Sequence, residues 1–347
     1  MLFLRFSCSR NSAAAQRCHF RHHRRVDSGA SALLFCLMFI ANSVSAADTW
    51  PSRPLRLILP YGAGGSYDAI ARVIAGQAGE QIGQQIIVDN RPGAAGRIGM
   101  EAAVKSQADG YTLVVIGNSQ AIVPSVHLNV PYDLARDLDY VSMVATVTNA
   151  VVIHPGVPVN TIKEFVALSR AKPGSLRFGS GGAGSSGHLA GELFRSMSGA
   201  DITHIPYKSA ALATTALLGN EVQVYIANLV NAVPQIQSSR LRALAVTSLQ
   251  RSTMLPGVPT LDETVAKGYE MVEFHGIAAP RGTPSAVVVR LNQEIEKALA
   301  SPDIRTRLAG QGAEPAASKP QAFRQFVLAE KDKLARIVQT IGLKPID

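Results

Sequence analysis

The first regular pattern in the chain is a short apolar run, Leu55 to Leu59, closed by Pro60-Tyr61-Gly62-Ala63-Gly64-Gly65-Ser66. Beyond it Ile70, Val73, Ile74, Ala78 and Ile82 recur at three- and four-residue spacing, which predicts a helix with one buried face, stopped by Gly83. Apolar runs at 85–88 and 111–116 read as strands, with a helix at 98–106 between them. This alternation is the grammar of an α/β unit, a mostly parallel sheet covered by helices. The succession then restarts with a β-rich stretch at 141–153, a helix at 162–171 and a strand at 176–178. A second glycine-serine loop, 179–187, leads into a helix at 188–197. Strand 202–205, helix 210–218 and strands 222–226 and 241–246 follow. The last third returns to a strand at 274–278 and a turn at 280–284, with Thr283 as N-cap and Pro284 as first helical residue. An apolar stripe of Val288, Leu291, Ile295, Ala298 and Leu299 comes next, then a final helix at 320–341. Two α/β units with the chain passing between them twice predict two lobes around a cleft. Residues 47–149 and 272–347 form one lobe, and 150–271 the other.

The residues before this pattern do not read as fold. Six arginines between Arg5 and Arg25 precede an apolar run at 31–41, and Val44-Ser45-Ala46 follows with short residues where a signal peptidase reads. That order predicts a secretory signal peptide over 1–46, its run about half the ~20 residues of a membrane-spanning helix. Its removal changes the composition. Cys8, Cys18 and Cys36 all leave with it, so the mature chain has neither a disulfide framework nor thiolate chemistry. Losing six arginines and one aspartate takes Lys and Arg from 34 to 28, Asp and Glu from 25 to 24, and the net charge from +9 to +4. With aromatics at 6% and no basic run interleaved with them, nucleic acid is not an expected partner.

Two loops carry the candidate chemistry. Gly64-Gly65-Ser66 and Gly184-Ser185-Ser186-Gly187 each follow a predicted strand and open a predicted helix, one per unit. A helix start presents unpaired N–H groups and about half a positive charge. Glycine admits a ligand close to the backbone, and serine adds hydroxyl donors. Two such starts across a cleft suit a carboxylate, or one carboxylate each of a diacid. The plainer reading is that Ser66, Ser185 and Ser186 only cap helices. Neither loop ends in Gly-Lys-Ser/Thr or completes a dinucleotide fingerprint, so nucleotides are set aside.

Hydrolase and metal chemistry find no support. Gly184-Ser185-Ser186-Gly187-His188 fails the nucleophile-elbow pattern. The mature histidines (His127, His154, His188, His204 and His275) lack zinc spacing. Four residues allow both a ligand role and a structural one. Asp68 can bind a cation or favour its helix start. Arg91 can clamp a carboxylate or brace its turn. His188 can touch a ligand or sit partly buried, and Tyr207-Lys208 can rim the cleft or lie on ordinary surface.

Longer motifs run through the mature chain in order. They include Pro60-Tyr61-x-x-Gly64-Gly65-Ser66-x-Asp68, Val88-Asp89-Asn90-Arg91-Pro92-Gly93, Asp109-Gly110-Tyr111, Pro131-Tyr132-Asp133 and Gly187-His188-Leu189-x-Gly191-Glu192. His204-Ile205-Pro206-Tyr207-Lys208, Leu241 to Thr247 and Gly276-Ile277-x-Ala279-Pro280-x-Gly282-Thr283-Pro284 complete the set. Together they resemble the Bug-type substrate-binding receptors of tripartite tricarboxylate transporters. The resemblance implies a type II periplasmic-binding-protein fold, two lobes with a hinge and an interdomain ligand cleft. It further implies a periplasmic monomer that is not an enzyme, uses no cofactor or metal, and passes a small organic carboxylate to membrane permease subunits. The contacts it implies are Tyr61, Gly64, Gly65 and Ser66 from one lobe, Ser180, Gly184, Ser185 and Ser186 from the other, and Asn118 and Asn228 at the cleft edges. Backbone amides, hydroxyls and bridging waters hold the ligand. Other roles for such a scaffold are a sensor presenting its ligand to a two-component regulator, or an enzyme on the same two lobes. The chain departs from the pattern at three places. Ala227 stands where many relatives carry an acid, which removes an ammonium partner and favours simple carboxylates over amino acids. Tyr67 replaces a small threonine, and Phe274 a tryptophan.

Overall fold

The computed structural model describes residues 50–345; the predicted signal peptide lies outside the described residues. The chain runs β1 (Leu55–Leu59), α1 (Ser66–Ile82), β2 (Ile86–Asn90), α2 (Arg97–Val104), β3 (Thr112–Gly117) and α3 (Asn118–Val126) into a long strand, β4 (Leu138–Ile153). There follow α4 (Ile162–Ala171), β5 (Arg177–Ser180), α5 (Ser186–Ser198), β6 (Thr203–Pro206), α6 (Ala210–Leu218) and β7 (Val224–Asn228). Next are α7 (Leu229–Gln237), β8 (Arg242–Val246), a single helical turn α8 (Leu261–Thr264) and a second long strand, β9 (Val272–Pro280). The chain ends with α9 (Ser285–Ala300), α10 (Pro302–Gly310), β10 (Ala313–Pro315) and α11 (Pro320–Thr340).

β1 lies parallel between β2 and β3, and β5 lies parallel between β6 and β7. The sheet as a whole is mixed, however, because β4 and β9 run against their neighbours. β9 pairs antiparallel with β3 and with β4 from Leu138 to Thr148. From Asn149 onward β4 changes partners and pairs antiparallel with β7 and β8. Spacing of apolar residues reveals strands but not the direction in which distant ones meet, so the parallel expectation holds within each α/β unit and not where β4 and β9 join them.

Both sheet faces are covered. Ile58, Val114 and Ile116 enter one buried cluster, while Leu57, Leu59, Leu113 and Val115 enter another on the opposite side. Val224 and Ile226 alternate with Tyr225 and Ala227 in the same way. Burial on both faces explains why these strands read as near-continuous apolar runs. The predicted helix faces are buried as well: Ile70, Val73, Ile74, Ala78 and Ile82 on α1, and Val288, Leu291, Ile295, Ala298 and Leu299 on α9. Gly83 ends α1 in the left-handed conformation, its N–H donating to Gly79 O. Pro284, not Thr283, is the N-cap of α9, and the Thr283 hydroxyl donates to Pro280 O instead.

α3, α7 and α10 are absent from the expected elements. α3 and α7 each hold an internal proline, Pro124 and Pro234, which reads as a helix breaker. Both prolines stand six residues after the asparagine that ends a strand or opens the helix, Asn118 and Asn228.

α11 docks through Phe323, fully buried and edge-on to Tyr140 and Phe274. Gly276 of β9 makes room for it, since a Cβ there would stand 2.0 Å from the Phe323 ring. Gly276→Ala is therefore expected to destabilise the protein by about 1–3 kcal/mol through overpacking. Urea unfolding measures this, and an unchanged midpoint would place Phe323 elsewhere.

Candidate functional site

Both glycine-serine loops open into one cavity of about 490 Å³. The first is set by Gly64 at φ 80° and an extended Gly65 that caps α1. Asp68, in the first turn of α1, ties it down. Its Oδ2 accepts from Gly64 N–H at 3.1 Å, and its Oδ1 accepts from Arg72 Nε at 3.1 Å and Asn90 Nδ2 at 3.0 Å. Burial works against the Asp68 charge, but these donors outweigh it and hold the carboxyl below the usual carboxylate range. The second loop turns through Gly182 and Gly184, both at positive φ. It enters α5 at Ser185, whose hydroxyl accepts from His188 N–H at 3.3 Å. Gly184 N–H donates to His188 Nδ1 at 3.1 Å, and His188 stacks on His204 at 3.9 Å.

Six of the expected contact residues line the cavity together: Tyr61, Gly65, Ser66, Ser185, Ser186 and Asn228. The other four hold the wall from behind. The Gly64 and Gly184 amides are engaged by Asp68 and His188. The Ser180 hydroxyl is 2.6 Å from His204 Nε2, and Asn118 is bonded to β9. The residues with two open roles divide as well. Asp68 is structural, Arg91 pairs with Asp89 at 2.9 Å, and His188 is buried under the second loop, whereas Tyr207 and Lys208 reach the cavity. A third helix start, at Ser209-Ala210-Ala211 of α6, adds to the same wall. Helix starts, hydroxyls and Lys208 make a surface that attracts negative charge.

Among the lining residues that were not foreseen, one carries a charge. Glu273 of β9 is 6% exposed and faces the cavity from between the loops. Its Oε1 accepts from Ser186 Oγ at 2.7 Å and its Oε2 from Asn228 Nδ2 at 2.9 Å. Burial pushes its carboxyl above the usual range, against the pull of those donors. Ala227, on the neighbouring β7, is buried and brings no charge to the cavity. The signal of Glu273 in the sequence is a lone charge inside the apolar run from Met271 to Ala279.

A profile described as "Tripartite tricarboxylate transporter family receptor" matches residues 70–343. The chain belongs to that family. It is 38% identical over 307 residues to Protein BugT of Bordetella pertussis, covering 88% of this chain and 94% of that protein. Among solved structures it resembles R. palustris Rpa4515 with adipate, at 34% identity and a TM-score of 0.83, covering 86% of this chain and 100% of that one. It likewise resembles the periplasmic binding protein BugD, at 31% identity and a TM-score of 0.82, covering 85% and 100%. The fold of this Bug-type receptor is the two-lobed mixed α/β architecture of periplasmic binding proteins.

Beside the cavity, Tyr67 lies stacked between Tyr61 at 3.8 Å and His275 at 3.9 Å. His275 is 2% exposed, both ring nitrogens lack partners, and burial lowers its pKa to about 3. The unfolded chain takes up a proton near the ordinary value of 6.5, and the folded state resists until about 3. Stability is thus fully present above 6.5 and is lost as pH falls through that window, by up to about 1.4 kcal/mol per pH unit. His275→Phe keeps an aromatic ring in the stack and removes this titration. Urea unfolding at pH 7 and 4.5 is expected to show a smaller acid-side loss in the variant; equal losses would mean that His275 is not held neutral.

Proposed function

We propose that the protein is an exported receptor that captures a small organic carboxylate by lobe closure and delivers it to the membrane subunits of a tripartite transporter. The lobes are 47–149 with 272–347, and 150–271. The observation carrying this reading is the meeting of two glycine-serine helix starts, from distant parts of the chain, in one cavity. The α1 start brings the amides after Gly65 and the Ser66 hydroxyl. The α5 start brings those after Ser185, with Lys208 and the α6 start beside them. A carboxylate bridging them satisfies donors that are otherwise left to water, and that differential contact favours the closed state. Family membership and the adipate bound by Rpa4515 support the same ligand class. The predicted leader and the periplasmic location of BugD support export.

A thermal-shift screen over mono-, di- and tricarboxylates is the direct test, since a bound ligand raises the midpoint with the logarithm of its concentration over Kd. The double variant Ser66→Ala, Ser185→Ala is expected to weaken the best hit by about 1–3 kcal/mol, the worth of lost hydrogen bonds to a charged group. Ser185 also caps α5, so calorimetric affinity is the readout rather than stability. Unchanged affinity would remove this site assignment.

A further inference from the structure

A cavity walled by helix starts attracts anions, yet it contains a carboxylate of its own. Glu273 is fixed there from several sides. Ser186, the first residue of α5, and Asn228, at the end of β7, both donate to its side chain. Asn118 at the start of α3 holds the main chain on either side, its Nδ2 donating to Val272 O at 3.1 Å and its Oδ1 accepting from Phe274 N–H at 2.9 Å. A side chain held so completely is a built part of the wall.

Its position changes what the wall can accept. Ser186 and Asn228 are donors that a second ligand carboxylate would need, and Glu273 already occupies both. A ligand carboxylate placed beside Glu273 would set two like charges together in a desolvated site, where one must take up a proton. A cation placed there meets the opposite situation. It offsets the buried negative charge and finds acceptors, because Asn228 Oδ1 is buried without a hydrogen-bond partner next to the Glu273 carboxylate. Tyr61, Tyr67, Tyr207 and Tyr225 also line the cavity, and tyrosine rings and hydroxyls tolerate an ammonium group well.

We infer that Glu273 and Asn228 form an ammonium subsite, so that the preferred ligand carries one carboxylate and one ammonium group rather than two carboxylates. This rests on the carboxylate-receptor reading above and narrows it. The carboxylate bridges the helix starts of α1 and α5, with Lys208 and the α6 start beside it, while the ammonium group lies against Glu273.

Matched probe pairs test it by calorimetry on the mature protein. 4-Aminobutanoate, 5-aminopentanoate and 6-aminohexanoate are compared with succinate, glutarate and adipate, and alanine and phenylalanine with propanoate and 3-phenylpropanoate. The best amino acid is expected to bind at least about 10-fold tighter than its partner lacking the ammonium group, the scale of one charge-assisted contact. Glu273→Gln keeps groups able to bond Ser186 and Asn228 but removes the charge, and is expected to erase or reverse that preference. Diacids or plain acids binding as well as amino acids in the native protein would overturn the ammonium subsite and leave the carboxylate receptor standing. So would a preference unchanged in Glu273→Gln. Binding of no probe in either class would overturn the carboxylate reading, and the subsite with it. The native comparison decides the matter even if the variant does not fold.

Discussion

The antiparallel pairing of β4 with β9 is the constraint on which the cavity depends. β4 carries the chain out of the first α/β unit and is hydrogen-bonded into both halves of the sheet system, while β9 brings the chain back and pairs with β3 and β4. The exchange of partners occurs at Asn149, where a buried polar knot replaces the ladder. Asn149 N–H donates to Thr247 Oγ1 at 3.0 Å, and the Thr247 hydroxyl lies 2.7 Å from Met271 O and 3.1 Å from Asn149 O. Met271 is the residue before β9 begins. A knot made of a few directed bonds can bend where a packed apolar layer cannot. In the proposed closure this is where the two crossing segments flex together.

The same pairing explains why a charged residue can sit in the cavity. Glu273 lies opposite Val147, one step inside the partner exchange, so its side chain emerges where the two sets of helix starts meet. The position has competing electrostatics. Helix starts contribute roughly half a positive charge each, which stabilises an anion nearby by a modest amount. Removing a carboxylate from water costs more than one such dipole returns, and the upward push on the Glu273 carboxyl reflects that balance. Hydrogen bonds from Ser186 and Asn228 reduce the deficit without closing it. A wall left in this state favours whatever ligand supplies the missing positive charge.

Much of this was legible in the residues, and the boundary of legibility is physical. The faces of α1 and α9 follow from three- and four-residue spacing, because burial of one helical stripe is a local demand. The two loops were legible for a related reason. A glycine-rich run that ends in serine after an apolar strand announces a strand-to-helix turn, whether the cap is glycine, as at Gly65, or serine, as at Ser185. Burial partners are not local. Gly64, Gly184, Ser180 and Asn118 carry the same residue types as true lining positions, and only the tertiary placement of Asp68, His188, His204 and β9 shows that their polar groups are already engaged. α3 and α7 were hidden by Pro124 and Pro234, whose lost hydrogen bond is tolerated within helices packed against the sheet. Glu273 was visible as an isolated charge, but nothing in its neighbours along the chain tells which way it points.

The departures from the family pattern are linked through contacts rather than scattered. Tyr67 sends its hydroxyl to Phe274 O at 3.2 Å and fills the space left by Gly117, where a Cβ would stand 2.2 Å from the Tyr67 hydroxyl oxygen. Its ring is held between Tyr61 and His275, so a large residue at 67 is matched by a flat one at 275. Phe274 is buried against Phe323 and Phe326 on the far side of the same strand. Residues 273–275 thus face alternately toward the cavity, away from it, and toward the tyrosine stack. A change at any one alters the packing of the next through a shared strand. In the proposed receptor, selectivity is consequently a property of the first residues of β9 read together with Tyr67, while the glycine-serine loops supply a generic grip on charge that β9 makes particular.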